Sequence, residues 1–108
     1  MVKRKVRAAV EFLDRCLRKS GVAPSKIILF GSQAKGKATR ESDIDVVIIS
    51  EDFCNKDILE RAAMTKEAEI KTLKKFMIPL DILTLTPEEN ETSLFGAQVR
   101  GAEIVSVK

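Results

Sequence analysis

The spacing of apolar side chains predicts that the chain begins with an amphipathic helix. Apolar residues return every three or four positions, the spacing of one helix face: Val2, Val6, Val10, Leu13 and Leu17. Arg18 and Lys19 then precede Gly21. A basic last turn followed by a glycine is typical of a helix end. The sequence therefore predicts a first helix that ends just before residue 21.

Shorter apolar runs predict the strands of a sheet. They cover residues 26–30, 43–49 and 78–85, and a final strand is predicted over 103–107. Pro79 lies near the start of the third run, where a strand tolerates a missing N–H. Such runs, bounded by polar and glycine-containing segments, favour strands over helices.

Helices are predicted between these strands. A short one is expected to open at Ser32, and a longer one over about 56–75. The apolar side of the longer helix is predicted to hold six residues: Ile58, Leu59, Ala62, Ala63, Ile70 and Leu73. Thr86, Pro87 and Glu89 have the pattern of an N-cap, a first-turn proline and a capping-box glutamate, and this last helix is predicted to end near residue 101. The order predicts one α/β (α+β) domain over 1–108, with helices packed on a mixed sheet of about four strands.

Composition narrows the chemistry. The chain has 108 residues, 44% hydrophobic and 32% charged, with no apolar run near the roughly 20 residues of a membrane span. We expect a cytoplasmic protein in which Cys16 and Cys54 are reduced. Because there is no histidine, Ser-His-Asp and Cys-His mechanisms are excluded and a zinc site is disfavoured. Carboxylates, hydroxyls, lysine, arginine or a bound metal must carry any chemistry.

The positive charge is concentrated in the first helix. The net charge is +3, and seven of the 19 basic residues lie within residues 1–19. This face is either a solvated helix surface or a contact for an acidic partner or a nucleic acid. Since Trp and Tyr are absent, no aromatic platform for stacking bases exists, and a nucleic-acid partner is not expected.

Two short motifs indicate a phosphate and metal site. Gly31 and Ser32 follow the first predicted strand, and Asp43 and Asp45 open the second. Side chains alternate along a strand, so both aspartates project from one face. Adjacent carboxylates repel each other unless a cation lies between them, and Mg²⁺ takes one or two carboxylates together with substrate phosphates. Backbone N–H groups at a helix start bind phosphate. The two motifs together predict a site for a metal–nucleoside triphosphate.

A third carboxylate and a basic loop extend this prediction. Asp81 interrupts an apolar stretch in the third predicted strand, where a buried charge is costly unless something positive meets it. A neighbouring lysine or arginine would satisfy it, and so would a metal shared with Asp43 and Asp45. Asp81 could also accept a proton from an attacking hydroxyl. The loop between the two motifs carries three basic residues that are either solvated or in contact with phosphate: Lys35, Lys37 and Arg40.

These residues resemble a known family signature. Residues 31–36 and 42–46 are similar to the motif of the nucleotidyltransferase superfamily that includes DNA polymerase beta and kanamycin nucleotidyltransferase. The whole chain resembles the smallest branch, the minimal nucleotidyltransferases. The resemblance implies a polymerase-beta-like fold with nucleotide-binding and catalytic residues in fixed places. The nucleotide would be held by Gly31, Ser32, Lys35 and Arg40. Two Mg²⁺ ions would be held by the catalytic carboxylates Asp43, Asp45 and Asp81.

The same resemblance implies an activity and a partner. A nucleoside monophosphate, AMP from ATP, would pass to a hydroxyl acceptor on a separately encoded helical HEPN toxin, so that the chain acts as its antitoxin. Two other functions remain open. The chain could be a non-catalytic, nucleotide-binding antitoxin that neutralises its partner by contact. It could also be the catalytic subunit of a small-molecule nucleotidyltransferase whose acceptor pocket is completed by another chain.

Overall fold

The computed structural model describes residues 3–31 and 43–92, together with the backbone of 102–106. The described helices and strands follow one another in the order that the apolar pattern predicts. Their order is α1 (Arg4–Lys19), β1 (Lys26–Phe30), β2 (Ile44–Ile49), a 3₁₀ turn (Glu51–Phe53), α2 (Ile58–Phe76), β3 (Leu80–Leu85), α3 (Pro87–Thr92) and β4 (Ala102–Ser106).

The strands form a mixed sheet in the order β3-β2-β1-β4. β1 runs antiparallel to β2, and β2 runs parallel to β3. The parallel pair is joined by α2, as a parallel crossover requires. The backbone of β4 pairs antiparallel with the other side of β1. The predicted α+β class and mixed sheet are confirmed, and β3 is the edge strand beside the parallel ladder.

One face of the sheet carries the hydrophobic core. The fully buried strand residues on this face are Ile27, Leu29, Ile44, Val46 and Ile48. The predicted apolar stripe of α1 packs against them through Val6, Val10, Leu13 and Leu17. Each such side chain contributes about 1.5–3 kcal/mol on burial. The helix ends at Lys19, and Gly21 follows with a φ of 92°, so the predicted helix end is also confirmed.

The start of α2 is fixed by a capping box. The carboxylate of Asp57 accepts a hydrogen bond from the backbone N–H of Glu60 at 2.7 Å, and the Glu60 carboxylate accepts one from the N–H of Asp57 at 3.0 Å. Helix N–H groups without an internal partner are satisfied in this way. The helix therefore begins at Ile58, two residues after the predicted start.

The predicted apolar side of α2 is wrong. The helix instead buries Thr65, Ala68 and Thr72, and α1 packs against it. Small side chains allow this close approach, and the threonine hydroxyls donate to carbonyls of their own helix, for example from Thr72 to Ala68 O at 2.8 Å. Four apolar residues lie outward instead, with Leu59 78% exposed: Leu59, Ile70, Leu73 and Met77. We call these four residues the outer stripe.

The remaining boundaries follow from local chemistry. β3 begins at Leu80, after the exposed residue Pro79. The predicted capping box of α3 is confirmed, because Glu89 N donates to Thr86 Oγ1 at 3.0 Å and Thr86 N donates to Glu89 Oε1 at 2.8 Å. The predicted helix at Ser32 and the end of the last helix near residue 101 lie outside the described residues. Within 3–31 and 43–92, no helix is both long and apolar enough to cross a bilayer.

Candidate active site

The sheet register brings the predicted carboxylates to one place. Phe30, the last residue of β1, pairs with Asp45 in β2, and Asp45 pairs with Asp81 in the parallel strand β3. Residues paired across neighbouring strands project from the same face. This is the face opposite the core residues Ile44 and Val46. Asp43 directly precedes β2, so the three predicted carboxylates lie near the amino ends of the paired strands β2 and β3.

Gly31 lies at this end of the sheet. It follows β1 with a φ of 72°, in the left-handed region that favours glycine. A Cβ at this position would overlap the carboxylate oxygen Oδ2 of Asp45. Both the backbone conformation and the close approach therefore require glycine, and the motif glycine lies directly against the motif aspartate.

The surroundings of Asp45 raise the cost of ionising its carboxyl group. The pKa of Asp45 lies above its usual range, chiefly because burial disfavours the charged form, and next because of the negative charges of Asp81 and Asp43. Among the described residues, none donates a hydrogen bond to these three side chains and none forms an ion pair with them. The structure thus gives no support, within the part it describes, to a lysine or arginine partner for Asp81.

The carboxylate oxygens at this site fit a divalent cation that would take its remaining ligands from a substrate. Asp45 and Asp81 are hard oxygen ligands on one face, beside the tight turn at Gly31. In the described residues, no three Asp, Glu, Cys or His side chains are arranged to hold a metal ion by themselves. Mg²⁺ is usually bound by one or two carboxylates plus waters and phosphates rather than by an all-protein cage. Such a site would be completed by the nucleotide.

Part of the predicted site falls outside the described residues. Ser32, Lys35, Lys37 and Arg40 lie within 32–42. Their proposed contacts with phosphate therefore stay predictions, as do the metal roles of the three aspartates.

A groove that the sequence did not predict begins at Asp81. It has a volume of about 540 Å³ and runs along the whole of β3, with α2 as its other wall. At its far end, Arg61 donates to Glu89 Oε1 at 2.7 Å and to Thr84 O at 3.3 Å. This hydrogen bond from Arg61 is the main reason why the pKa of Glu89 is lowered. The partners are 28 residues apart in the chain, so no local motif could have indicated the groove.

Comparison with known proteins places the whole arrangement in one family. A family model described as "Nucleotidyltransferase domain" matches residues 9–103. Two curated relatives from Methanocaldococcus jannaschii are similar in sequence. "Putative protein adenylyltransferase MJ1305" is 29% identical over 79 residues, which are 73% of this chain and 53% of that protein. "Putative protein adenylyltransferase MJ0604" is 39% identical over 61 residues, 50% of this chain and 61% of that protein.

A solved structure supports the fold. A chain from the crystal structure of a toxin-antitoxin with AMP-PNP superposes with a TM-score of 0.64 at 22% identity, covering 94% of this chain and 74% of that one. At this identity the likeness concerns the fold alone. The matched region spans between half and two thirds of the length of the two curated relatives.

Proposed function

Since the chain belongs to the nucleotidyltransferase domain family, we propose that it transfers AMP from ATP to a hydroxyl group on a partner protein. We propose further that this partner is a helical toxin of the HEPN type and that the modification silences it. The names of the two archaeal relatives and the toxin-antitoxin source of the similar fold support this choice of acceptor.

One observation carries the proposal. Asp45 and Asp81 are paired side by side on one face of a parallel ladder, with Gly31 pressed against Asp45 and no described cation beside them. A fold gains nothing from placing like charges together, whereas a cationic ligand would bind there strongly. A carboxyl group with a raised pKa, as in Asp45, is a common feature of catalytic sites.

The proposed reaction is a single displacement at phosphorus. An acceptor oxygen forms a bond to the α-phosphorus of ATP, the bond to the β-phosphate oxygen breaks, and pyrophosphate leaves. The proton of the acceptor hydroxyl must be removed as the oxygen attacks. Asp81 is exposed and lines the groove, so its carboxylate is the group we assign to accept that proton. Asp45, beside Gly31, would help to hold the Mg²⁺ that orients the phosphates.

The metal requirement belongs to the same proposal. Asp43, Asp45 and Asp81 would hold Mg²⁺, which neutralises charge on the phosphates and lowers the pKa of an attacking hydroxyl. Gly31 and Ser32 would hold the triphosphate through backbone N–H groups, with Lys35 and Arg40 as further contacts. The absence of a preformed three-carboxylate cage among the described residues agrees with a metal that arrives with its nucleotide.

The outer stripe of α2 supports a protein partner. Leu59 and Met77 are 78% and 77% exposed, and Ile70 and Leu73 lie between them. Ile70, Leu73 and Met77 follow one another at intervals of three and four residues. Leu59 precedes Ile70 by eleven residues, about three helical turns, so the four lie along one side of the helix over about 27 Å at 1.5 Å per residue. Large apolar side chains exposed together on one side of a helix commonly mark an interface. A helix of the partner is the element that would cover it.

Radiolabel transfer tests the proposal. The chain is incubated with Mg²⁺, ATP labelled at the α-phosphate, and the helical protein encoded beside it. We expect label on that protein with wild type and none with Asp45→Asn. A complex that silences the neighbour equally well without label, and equally well with the variant, would establish instead a non-catalytic antitoxin.

Nucleotide binding is measured separately by thermal denaturation. A ligand that binds only the folded state raises the melting temperature by mass action. We expect a large rise with Mg²⁺ and ATP together and a much smaller one with ATP alone, because the carboxylates would then face the phosphates unscreened. Equal rises with and without Mg²⁺ would contradict the metal-bridged site.

A further inference from the structure

Among the described strands, β3 pairs only with β2, and no described strand lies along its other edge. In the ladder with β2, the carbonyls of Pro79 and Leu85 accept from Ile44 N at 2.9 Å and Ser50 N at 3.0 Å. Alternate residues of a parallel strand face opposite neighbours, so the backbone groups of Leu80, Ile82 and Thr84 point away from β2.

The described residues satisfy these outward groups only in part. The carbonyl of Thr84 accepts from Arg61 at 3.3 Å. No residue of the described chain bonds to the outward groups of Leu80 or Ile82. An exposed edge of this kind is a template for pairing with an added strand, and it forms the floor of the groove described above.

The two ends of the groove also differ in charge. Near the start of β3 it is lined by Asp81 and by Glu69 of α2, and near the end of β3 by Lys56 and Arg61. Arg61 is neutralised by Glu89. Within the part of the chain that the structure describes, Lys56 and Glu69 make no ion pair. An occupant with an acidic side chain beside Lys56 and a basic one beside Glu69 would complement both ends.

We propose that this groove binds an extended polypeptide segment as a strand added to β3. The segment would pair its backbone with Leu80 and Ile82, present an acidic side chain to Lys56, and carry its hydroxyl residue to the Asp81 end. Strand addition gives affinity through main-chain hydrogen bonds and specificity through alternate side chains. The inference rests on the proposed function in one respect, namely that the bound segment is the acceptor.

The first test uses a displayed library of random twelve-residue peptides, each with a central tyrosine, selected on the whole chain. Selected peptides are then measured against Ile82→Pro and Ile82→Val. Proline removes the outward N–H and blocks pairing, whereas valine keeps the N–H and measures the loss of side-chain volume. We expect the proline variant to bind about ten-fold more weakly than the valine variant. Equal binding, or no selected peptide, overturns the proposal.

A second variant tests the polarity. Lys56 is exposed, and Lys56→Glu reverses the charge at its end of the groove. We expect selected peptides to contain an acidic residue on one side of the tyrosine and to lose affinity for this variant. That loss should shrink at high salt, because screening weakens exposed charge pairs. Selected peptides without charge asymmetry, or with unchanged affinity for Lys56→Glu, would contradict the assigned orientation.

If Ile82→Pro does not fold, amide hydrogen exchange on the wild-type chain tests strand addition instead. Bound peptide should slow the exchange of the Leu80 and Ile82 amide protons, and unchanged exchange overturns the proposal. None of these measurements uses transfer. If the chain binds peptides in this way but transfers no label to a protein, the groove proposal stands and the proposed function is wrong. If the proline and valine variants label the neighbouring protein at equal rates, the proposed function stands and the groove proposal is wrong.

Discussion

The two ends of β2 carry polar groups that are arranged in opposite ways. At the carboxyl end, Ser50 Oγ donates to Ala23 O at 2.8 Å and accepts from Asp52 N at 3.1 Å, while Ala23 N donates to Asp52 Oδ2 at 2.8 Å. Every member of this network has a partner. At the amino end, Asp45 faces Asp81 and Asp43 with no described donor. The satisfied network at the carboxyl end ties β2 to the loop between α1 and β1, where Ala23 lies.

The contrast teaches how to distinguish a structural polar cluster from a binding one. A buried network is stabilising only when each group is satisfied, and Ser50 is fully buried and fully bonded. At the amino end, by contrast, Asp81 and Asp43 make the ionised form of Asp45 more costly, and Asp45 lies against Gly31 with no hydrogen-bond donor among the described residues. Substitutions at the two ends should therefore have opposite consequences for activity and stability.

The largest expected effect separates the two ends directly. Asp45→Asn should reduce transfer by about a thousand-fold or more, since loss of a metal-binding carboxylate removes several kcal/mol of charge stabilisation. Without metal, the same variant should be as stable as wild type or slightly more so, because one of the repelling charges is gone. The measurements are label transfer and urea denaturation in a chelator.

Asp52→Asn is the matched control at the other end. The change is chemically the same, but Asp52 accepts a hydrogen bond from Ala23 N. We expect normal transfer well below the melting temperature and a loss of about 1 kcal/mol in the free energy of unfolding. If Asp45→Asn lost stability in the same way, the carboxylates at the amino end would be structural.

Gly31→Ala should have the next largest effect. The added methyl group overlaps the Asp45 carboxylate, and alanine at a φ of 72° is strained. We expect a loss of about 1–2 kcal/mol in the free energy of unfolding, and a fall in transfer of about a hundred-fold, because the carboxylate must move. Gly21→Ala is the matched control. Gly21 also has a positive φ, of 92°, but nothing lies within 4 Å of its added Cβ. That variant should show the backbone cost without the loss of transfer.

Ser50→Ala sharpens the comparison from the structural side. It removes the acceptor of Asp52 N and the donor to Ala23 O inside a buried site. We expect the free energy of unfolding to fall by about 2 kcal/mol, with transfer per folded molecule unchanged. Ser25→Ala should cost less, since Ser25 is only half-buried and its hydroxyl makes one bond, to Ile49 O at 3.1 Å. A loss of transfer in Ser50→Ala at a temperature where it is fully folded would break the proposed division of roles.

The core of the fold was predictable because its signals are local. Alternation in β2 placed Asp45 opposite the buried Ile44 and Val46, and the structure agrees. The helix end at Gly21 and the capping box between Thr86 and Glu89 also depend on neighbouring residues only.

The failures arise where tertiary packing decides. Apolarity alone predicted that Leu59 and Leu73 face inward, but α2 turns Thr65 and Thr72 inward instead. Threonine can be buried there because its hydroxyl bonds to its own helix, as Thr65 Oγ1 does to Arg61 O at 3.2 Å. The groove likewise depends on Arg61 meeting Glu89 across the fold, a pairing with no sequence signature.

The smallest expected effect concerns the pH dependence of stability. In the folded chain the pKa of Asp45 lies above its ordinary value of 3.8, so the folded state binds this proton more tightly than the unfolded state. Stability from this group is therefore gained as the pH falls through the raised pKa, is fully present below 3.8, and is lost again as the pH rises. The Asp45→Asn variant lacks this pH-dependent contribution to the free energy of unfolding. The variant should equal or exceed wild type in stability near neutral pH without metal, and wild type should gain on it as the pH is lowered.

Paired urea titrations in a chelator, from about pH 7 to about pH 4, measure that change. Repeating them in about 1 M salt separates its two causes, because salt screens the charges of Asp81 and Asp43 but leaves the burial of Asp45 as it is. The pH-dependent difference should shrink in salt without vanishing, since burial is the larger cause. A difference that stays constant with pH would show that folding leaves the pKa of Asp45 unchanged, and one that widens in favour of the variant in acid would show that Asp45 is stabilised as a carboxylate. The amino end of β2 would then resemble the carboxyl end, where Asp52 is held by hydrogen bonds.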